Sequence, residues 1–122
     1  PKNAAGYHAN SAKIGQGGNI VISGHNNIYG RVFEAISLRF DPKNPTAYVG
    51  NEVMLYGRDG RQVTYRIHQV HFLQEAGISY DQRLQNAQVM APTEQETLTI
   101  ITCWPMTSNT HRIVLQAHPA LP

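Results

Sequence analysis

The sequence predicts a mainly β fold, a small, closed and mostly antiparallel β-barrel into which one or two short helices are inserted. Three observations support this prediction. Short runs rich in Ile, Val and Thr recur along the chain and are separated by turn residues. The longest run changes the parity of its apolar positions, as strands do where a barrel curls. A length of 122 residues suits one hydrophobic core, so residues 1 to 122 are predicted to form a single domain.

Charged residues are few and scattered. They make up 15% of the chain and give a formal net charge of +2. Because phosphate binding needs clustered cations, the sequence argues against a nucleic-acid partner. One cysteine excludes an internal disulfide, and no apolar run reaches the roughly 18 residues expected of a membrane-spanning helix.

The first clear strand covers residues 19 to 24, where three consecutive β-branched residues indicate burial on both faces. It ends at His25. Residues 29 to 38 then place apolar side chains at helical spacing and predict a short amphipathic helix. Residues 41 to 45, rich in Pro and Asn, predict a loop.

A hairpin follows, with strands at residues 52 to 56 and 62 to 73 and a turn at residues 58 to 60. In the second strand the apolar positions are odd as far as Ile67 and even from Val70 onwards. This slip predicts a bulge or sharp bend near His68 and Gln69.

Residues 75 to 97 show no strand alternation, although residues 81 to 87 could form a helical turn. A connection of this length usually has a function, for example as a lid. Its carboxylates, and those of the preceding hairpin, are isolated in the sequence. We therefore predict no metal site and no cofactor; the acidic residues concerned are Glu52, Asp59, Glu75 and Asp81.

A second hairpin closes the chain, from TLTIITC through a Pro- and Asn-containing loop to RIVLQ. If its strands pair antiparallel, Cys103 leaves one strand where Arg112 enters the other, so that thiol and guanidinium share a small volume. A cation beside a thiol favours the nucleophilic thiolate. By position alone, however, a single cysteine in an apolar strand is more often a small buried hydrophobe, and an arginine at a strand start is usually a solvated charge.

Of the six histidines, His25 is distinguished by its place at the end of a buried strand. Taken alone, however, a histidine in such a loop more often serves only as a local hydrogen-bonding partner. His8 and His118 are expected at the surface, in loops or near the termini, and His111 is expected to point away from its neighbour Arg112. His68 and His71, three residues apart on one strand, are expected on opposite faces, which make a poor metal pair.

Three motifs taken together resemble the sortase family. The segment TIITC at residues 99 to 103 matches the T-L-x-T-C signature of sortases, with Ile100 in place of Leu. NIVISGH at residues 19 to 25 resembles the strand that carries the sortase catalytic histidine, and Arg112 stands where sortases have their arginine. The resemblance covers nearly the whole chain and is closest to sortases of classes D, E and F.

This resemblance implies a cysteine transpeptidase with a sortase-like β-barrel. Cys103 would be the nucleophile and His25 the general acid and base, while Arg112 would donate to the oxyanion or hold the peptide backbone. Thr102 and Trp104 are candidate substrate-binding residues. Equally, the hydroxyl of Thr102 could serve only strand packing, and the ring of Trp104 could pack on its own loop. The reaction implied is cleavage of the Thr-Gly bond in an LPxTG-like or LAxTG-like sorting signal through a thioacyl-enzyme. The peptide would then pass to an amine acceptor.

The resemblance also implies partners and a location. The partners would be surface proteins with a C-terminal sorting signal and an amine acceptor, either a cell-wall precursor or a pilin lysine. The enzyme would act at the outer face of a bacterial cytoplasmic membrane, with one further strand and a membrane anchor in an N-terminal part that precedes this sequence. Two alternatives stay open: a cysteine peptidase that releases peptide to water, and a non-catalytic peptide-binding β-barrel.

Overall fold

The computed structural model describes residues 5–9, 11–26, 33–57 and 59–120. Within these residues one sheet of six strands accounts for most of the regular structure. The elements in chain order are β1 (Gly6–Tyr7), β2 (Asn19–Ser23), α1 (Glu34–Arg39), β3 (Glu52–Tyr56), β4 (Gln62–Gln74), α2 (Tyr80–Asn86), a 3₁₀ helix (Ala87–Met90), β5 (Thr97–Trp104) and β6 (His111–Pro119).

The strand order in the sheet is β1-β2-β5-β6-β4-β3, so β5 and β6 lie at its centre. Four of the five neighbouring pairs are antiparallel. The exception is β2 with β5, which run parallel although 73 residues separate Ser23, the end of β2, from Thr97, the start of β5. The prediction of a mainly β, mostly antiparallel fold with short helices is confirmed, and the parallel pair is the feature that the sequence did not predict.

Both faces of the central strands are covered. The main core lies on one face, where Leu98, Ile100 and Ile113 pack around the fully buried ring of Tyr65. A smaller cluster of Val21, Ile101 and Val114 lies on the other face. Because alternate residues of a strand point to opposite faces, this double burial explains why β2 and β5 are apolar at consecutive positions.

The bulge predicted in β4 is confirmed. The pairing of β4 with β6 shifts register between Ile67 and Gln69. On either side of this shift the same strand pairs with β6, and its first part pairs with β3 as well. A strand of 13 residues therefore bends once and still keeps its ladder on both sides of the bend.

The helices are short and lie close to their predicted places. Helix α1 spans Glu34–Arg39, whereas the first part of the predicted helix falls in residues 27–32, outside the described residues. Helix α2 covers Tyr80–Asn86, one residue earlier than predicted, because the hydroxyl of Ser79 caps it by accepting a hydrogen bond from the amide of Gln82 at 3.1 Å. The predicted turn after β3 includes Arg58, which is also outside the described residues.

None of the helices in the described ranges has the length and apolar character needed to cross a membrane.

Candidate active site

Cys103 and Arg112 are directly opposite each other on the two central strands, as the sequence predicted. The cleft beside them has a volume of about 480 Å³. Four of the five predicted site residues line it, namely His25, Thr102, Cys103 and Arg112. The other lining residues are Gly6, His8, Ser23, Gly24, Met90 and Ile101.

The parallel pairing of β2 with β5 brings His25 to this cleft. Ser23 is in register with Ile101, and the amide of Gly24 donates to the carbonyl oxygen of Ile101 at 3.1 Å. The hydroxyl of Thr102 donates to the carbonyl oxygen of Gly24 at 3.0 Å. This hydrogen bond is buried and joins the residue before Cys103, which is Thr102, to the residue before His25, which is Gly24.

Gly24 makes room for the ring of Phe33. A Cβ atom at Gly24 would lie 2.8 Å from two ring carbons of Phe33, closer than such contacts occur in proteins. The amide of Phe33 also donates to the carbonyl oxygen of His25 at 2.9 Å. Close packing against Phe33 therefore requires a glycine at position 24. The next side chain, that of His25, is exposed and lines the cleft.

A buried polar cluster holds the backbone of Cys103 from behind. Asn26 is 1% exposed, and its Nδ2 lies 2.7 Å from the carbonyl oxygen of Cys103, to which it donates a hydrogen bond. The hydroxyl of Ser37 donates to the same oxygen at 2.9 Å. Asn26 Nδ2 also lies 3.0 Å from Oδ1 of Asn109, which adopts a left-handed backbone with φ of 53°. Asn26, which directly follows His25, thus holds the backbone of Cys103 in place.

The electrostatic surroundings of Cys103 act in opposite directions. Burial raises the pKa of its thiol above the usual value of 9.0, Arg112 lowers that pKa, and Glu75 raises it. Because burial is the largest of the three effects, the thiol keeps its proton at neutral pH. The sequence correctly placed a cation beside the thiol, but it did not reveal the desolvation that outweighs it.

Arg112 forms an ion pair with Glu75, whose Oε1 lies 3.7 Å from Nε of the arginine. The arginine side chain is 45% exposed and the glutamate side chain 22%. Sequence reasoning treated Glu75 only as an isolated carboxylate. No local signal indicated the pair, since β4 and β6 come together through the sheet and are far apart in the chain.

His8 is a second residue that sequence reasoning placed elsewhere. It is half-buried and lines the cleft, and its Nε2 lies 2.9 Å from the hydroxyl oxygen of Ser23. The short strand β1 brings it there by pairing antiparallel with β2. A strand of two residues leaves no periodic pattern from which this placement could be predicted.

Trp104 lies on the opposite face of β5 from Cys103. Its ring packs edge-on against Phe72, with ring centroids 5.2 Å apart, and against Phe40 and His111 at 6.1 Å and 5.8 Å. This aromatic cluster continues the main core. A substrate-binding role for Trp104 stays a prediction, although its packing points to support of the strand end that carries the thiol.

In the described part of the chain, no group of three His, Cys, Asp or Glu side chains is placed to hold a metal ion. The cleft offers instead one thiol, two imidazoles and one guanidinium, contributed by Cys103, His8, His25 and Arg112. This set can supply a nucleophile, a proton carrier and an anion-binding donor for chemistry at a carbonyl group.

Comparison with protein families gives a match over nearly the whole chain. The family model of the sortase domain matches residues 1–120. A search of curated proteins found no significant match.

Solved structures of sortases share the fold. The lid mutant of sortase A from Corynebacterium diphtheriae superposes with a TM-score of 0.73 at 20% identity, covering 97% of this chain and 56% of that one. A sortase D5 transpeptidase of Clostridium perfringens gives 0.68 at 23% identity, covering 96% and 62%. Sortase C1 from Streptococcus agalactiae gives 0.71 at 19% identity, covering 97% and 54%. The chain therefore spans little more than half the length of these structures.

Proposed function

The chain belongs to the sortase family, and from this premise we propose that it is a cysteine transpeptidase that acts through a thioacyl-enzyme. One observation carries the proposal. Cys103 and Arg112 are cross-strand partners, and both line the cleft that also contains His25. A nucleophile, a proton carrier and an oxyanion donor at one cleft are the parts that acyl transfer requires.

The first half of the reaction forms the thioacyl-enzyme. Because burial keeps the proton on the thiol, Cys103 first passes that proton to His25 and becomes a thiolate. The thiolate sulfur attacks the carbonyl carbon of the scissile bond, and Arg112 donates hydrogen bonds to the oxygen that becomes negative. His25 then gives its proton to the leaving nitrogen, the C–N bond breaks, and an amine departs.

The second half transfers the acyl group. An incoming amine attacks the thioester carbonyl and gives a proton to His25, which now acts as a base. The C–S bond breaks, Cys103 leaves as a thiolate, and the proton on His25 returns to it. A new amide bond replaces the original one, and the enzyme ends in its starting protonation state.

The substrate we propose is a sorting signal of the LPxTG or LAxTG type, cleaved between Thr and Gly. Its carriers would be surface proteins, and the acceptor would be an amine of a cell-wall precursor or a pilin lysine. The reaction would take place at the outer face of the bacterial cytoplasmic membrane. These assignments rest on family membership, and the open cleft between β2, β5 and the 3₁₀ helix suits an extended peptide.

Mass spectrometry of the intact protein tests the proposal. The wild type and Cys103→Ala are incubated with a library of pentapeptides that end in Thr-Gly. We expect one peptide class to add its acyl part to the wild type alone, with release of the glycine fragment. A primary amine such as glycinamide should discharge the adduct and yield a new amide.

Three outcomes contradict this proposal. Discharge to the free acid at the same rate with and without the amine would indicate a peptidase. An absence of any adduct, together with tight binding of one peptide, would indicate a binding module. Transfer that persists in Cys103→Ala would exclude the assigned nucleophile.

A further inference from the structure

Glu75 is placed between the end of β4 and the arginine of the cleft. Leu73 of β4 is the sheet partner of Arg112, and Glu75 follows two residues later. Because alternate residues of a strand share a face, the Glu75 side chain emerges on the side of the sheet that carries Arg112 and Cys103. Its Oε1 lies 3.7 Å from Nε of Arg112.

The backbone of Glu75 is held from two directions. Its amide donates to the carbonyl oxygen of Thr110 at 2.9 Å, and the amide of Ala76 donates to the same oxygen at 3.1 Å. From α2, Nη2 of Arg83 donates to the carbonyl oxygen of Glu75 at 3.2 Å. Thr110 precedes Arg112 by two residues. These hydrogen bonds therefore hold the backbone of Glu75 next to the start of the strand that carries Arg112.

The geometry of the ion pair leaves the two Nη groups of Arg112 available to bind another group. Glu75 faces Nε of Arg112, which is the stem side of the fork. The two Nη groups, with four N–H donors, remain for an oxygen in the cleft. At 3.7 Å the carboxylate attracts the Nε side of the guanidinium without a direct hydrogen bond, and this attraction favours one orientation of a side chain that is 45% exposed.

The titratable and charged side chains around Cys103 come from several elements. His8 follows β1, His25 follows β2, Arg112 belongs to β6, and Glu75 follows β4. The 3₁₀ helix contributes Met90 to the cleft and has no titratable side chain. Glu75 itself lies beside two arginines. Its carboxylate pairs with Arg112, and its backbone carbonyl oxygen accepts a hydrogen bond from Arg83. Glu75 is thus the negative charge in this set, and it opposes the effect of Arg112 on the thiol.

We propose that Glu75 is a positioning residue that aims the Nη groups of Arg112 into the cleft and restrains the reactivity of Cys103 in the free protein. The first role rests on the function proposed above, because it concerns a substrate oxygen. The second role is a property of the free protein and does not depend on any substrate.

The restraint on Cys103 is tested by alkylation. The rate of reaction with iodoacetamide is measured across pH for wild type, Glu75→Gln and Arg112→Gln. The isosteric Glu75→Gln removes the negative charge, so we expect alkylation at neutral pH to rise roughly two- to fivefold, the factor of a charge interaction at a partly exposed site. Arg112→Gln should lower it. The matched control is Glu52→Gln, which removes the charge of a β3 glutamate paired with Arg66 of β4. Its alkylation rate should equal that of wild type.

The aiming role is tested with the peptide that acylates the wild type. Glu75→Gln should lower kcat for acylation while its thiol is more reactive, and Glu75→Asp should recover part of the loss. A Glu75→Gln variant with the alkylation profile and kcat of wild type would overturn the inference. If no peptide acylates the wild type, the proposed function fails instead, and the alkylation result still decides the restraint on Cys103.

Discussion

The side-chain amide of Asn26 donates a 2.7 Å hydrogen bond to the backbone carbonyl oxygen of Cys103. These two residues are 77 positions apart in the chain. Because Asn26 adjoins His25, this bond couples the loop that carries the imidazole to the strand that carries the thiol. The hydroxyl of Ser37 in α1 donates to the same oxygen, so three segments meet behind the backbone of Cys103.

Replacement of Asn26 by alanine should therefore weaken both the fold and the reaction. Loss of a buried amide that satisfies a carbonyl is expected to cost about 1–3 kcal/mol of unfolding free energy. Urea unfolding and the acylation rate measure the two effects. Asn51→Ala, at the exposed position just before β3, is the matched control and should stay within about 0.5 kcal/mol of wild type. Equal stability and rate for the two variants would contradict this role.

Arg112 is expected to affect turnover far more than stability. Its side chain is 45% exposed, so Arg112→Ala should leave the unfolding temperature close to that of wild type. Loss of an oxyanion donor typically costs about 3 kcal/mol in the transition state, so acylation should slow roughly 10²-fold or more. Arg112→Lys should recover little, because lysine lacks the planar fork.

The control for Arg112 is Arg66→Ala, which removes an arginine from the exposed pair with Glu52. Acylation by that variant should equal that of wild type. A large loss in Arg66→Ala, or none in Arg112→Ala, would show that the arginine of the cleft has no special part in the reaction.

Gly24→Ala should damage the site by a steric route. The added methyl group would lie 2.8 Å from the ring of Phe33, and relief of such a contact by shifts of packed groups typically costs about 1–3 kcal/mol. Chemical denaturation should show a lower free energy of unfolding, and the acylation rate should fall as well. The double variant Gly24→Ala with Phe33→Ala removes the clash, so it should be more stable than the sum of the two single changes predicts. Strict additivity would indicate that the contact does not matter.

Much of the central hairpin could be predicted from the sequence because its signals are local. Two β-branched runs joined by a Pro- and Asn-containing loop indicate antiparallel strands, and once they pair, their spacing brings Cys103 close to Arg112, which the register of β5 and β6 bears out. The bulge of β4 was predictable for the same reason, since a change of parity in one strand is visible without knowledge of its partners.

The remaining features of the site depend on contacts between distant segments. Nothing near Asn26 indicates that it will meet the carbonyl of Cys103, and nothing near Glu75 indicates that it will meet Arg112. The first contact follows from the parallel pairing of β2 with β5, and the second follows from the antiparallel pairing of β4 with β6. The acid-base character of Cys103 was equally hidden, because it depends on burial as well as on the neighbouring charge.

The stacked rings of His68 and His118, with centroids 3.7 Å apart, predict sensitivity to acid. Burial, followed by the nearby His118 and His71, lowers the pKa of His68 below its usual 6.5. Between the folded and unfolded pKa values the unfolded chain binds more protons, so the unfolding free energy should fall as the pH drops below about 6.5. Urea unfolding at about pH 7.5 and about pH 5.5 should show a smaller fall for His68→Gln than for wild type. Gln69→Ala, a neighbouring change without a titratable group, should keep the wild-type fall, and an equal fall in all three proteins would rule out the histidine pair as its cause.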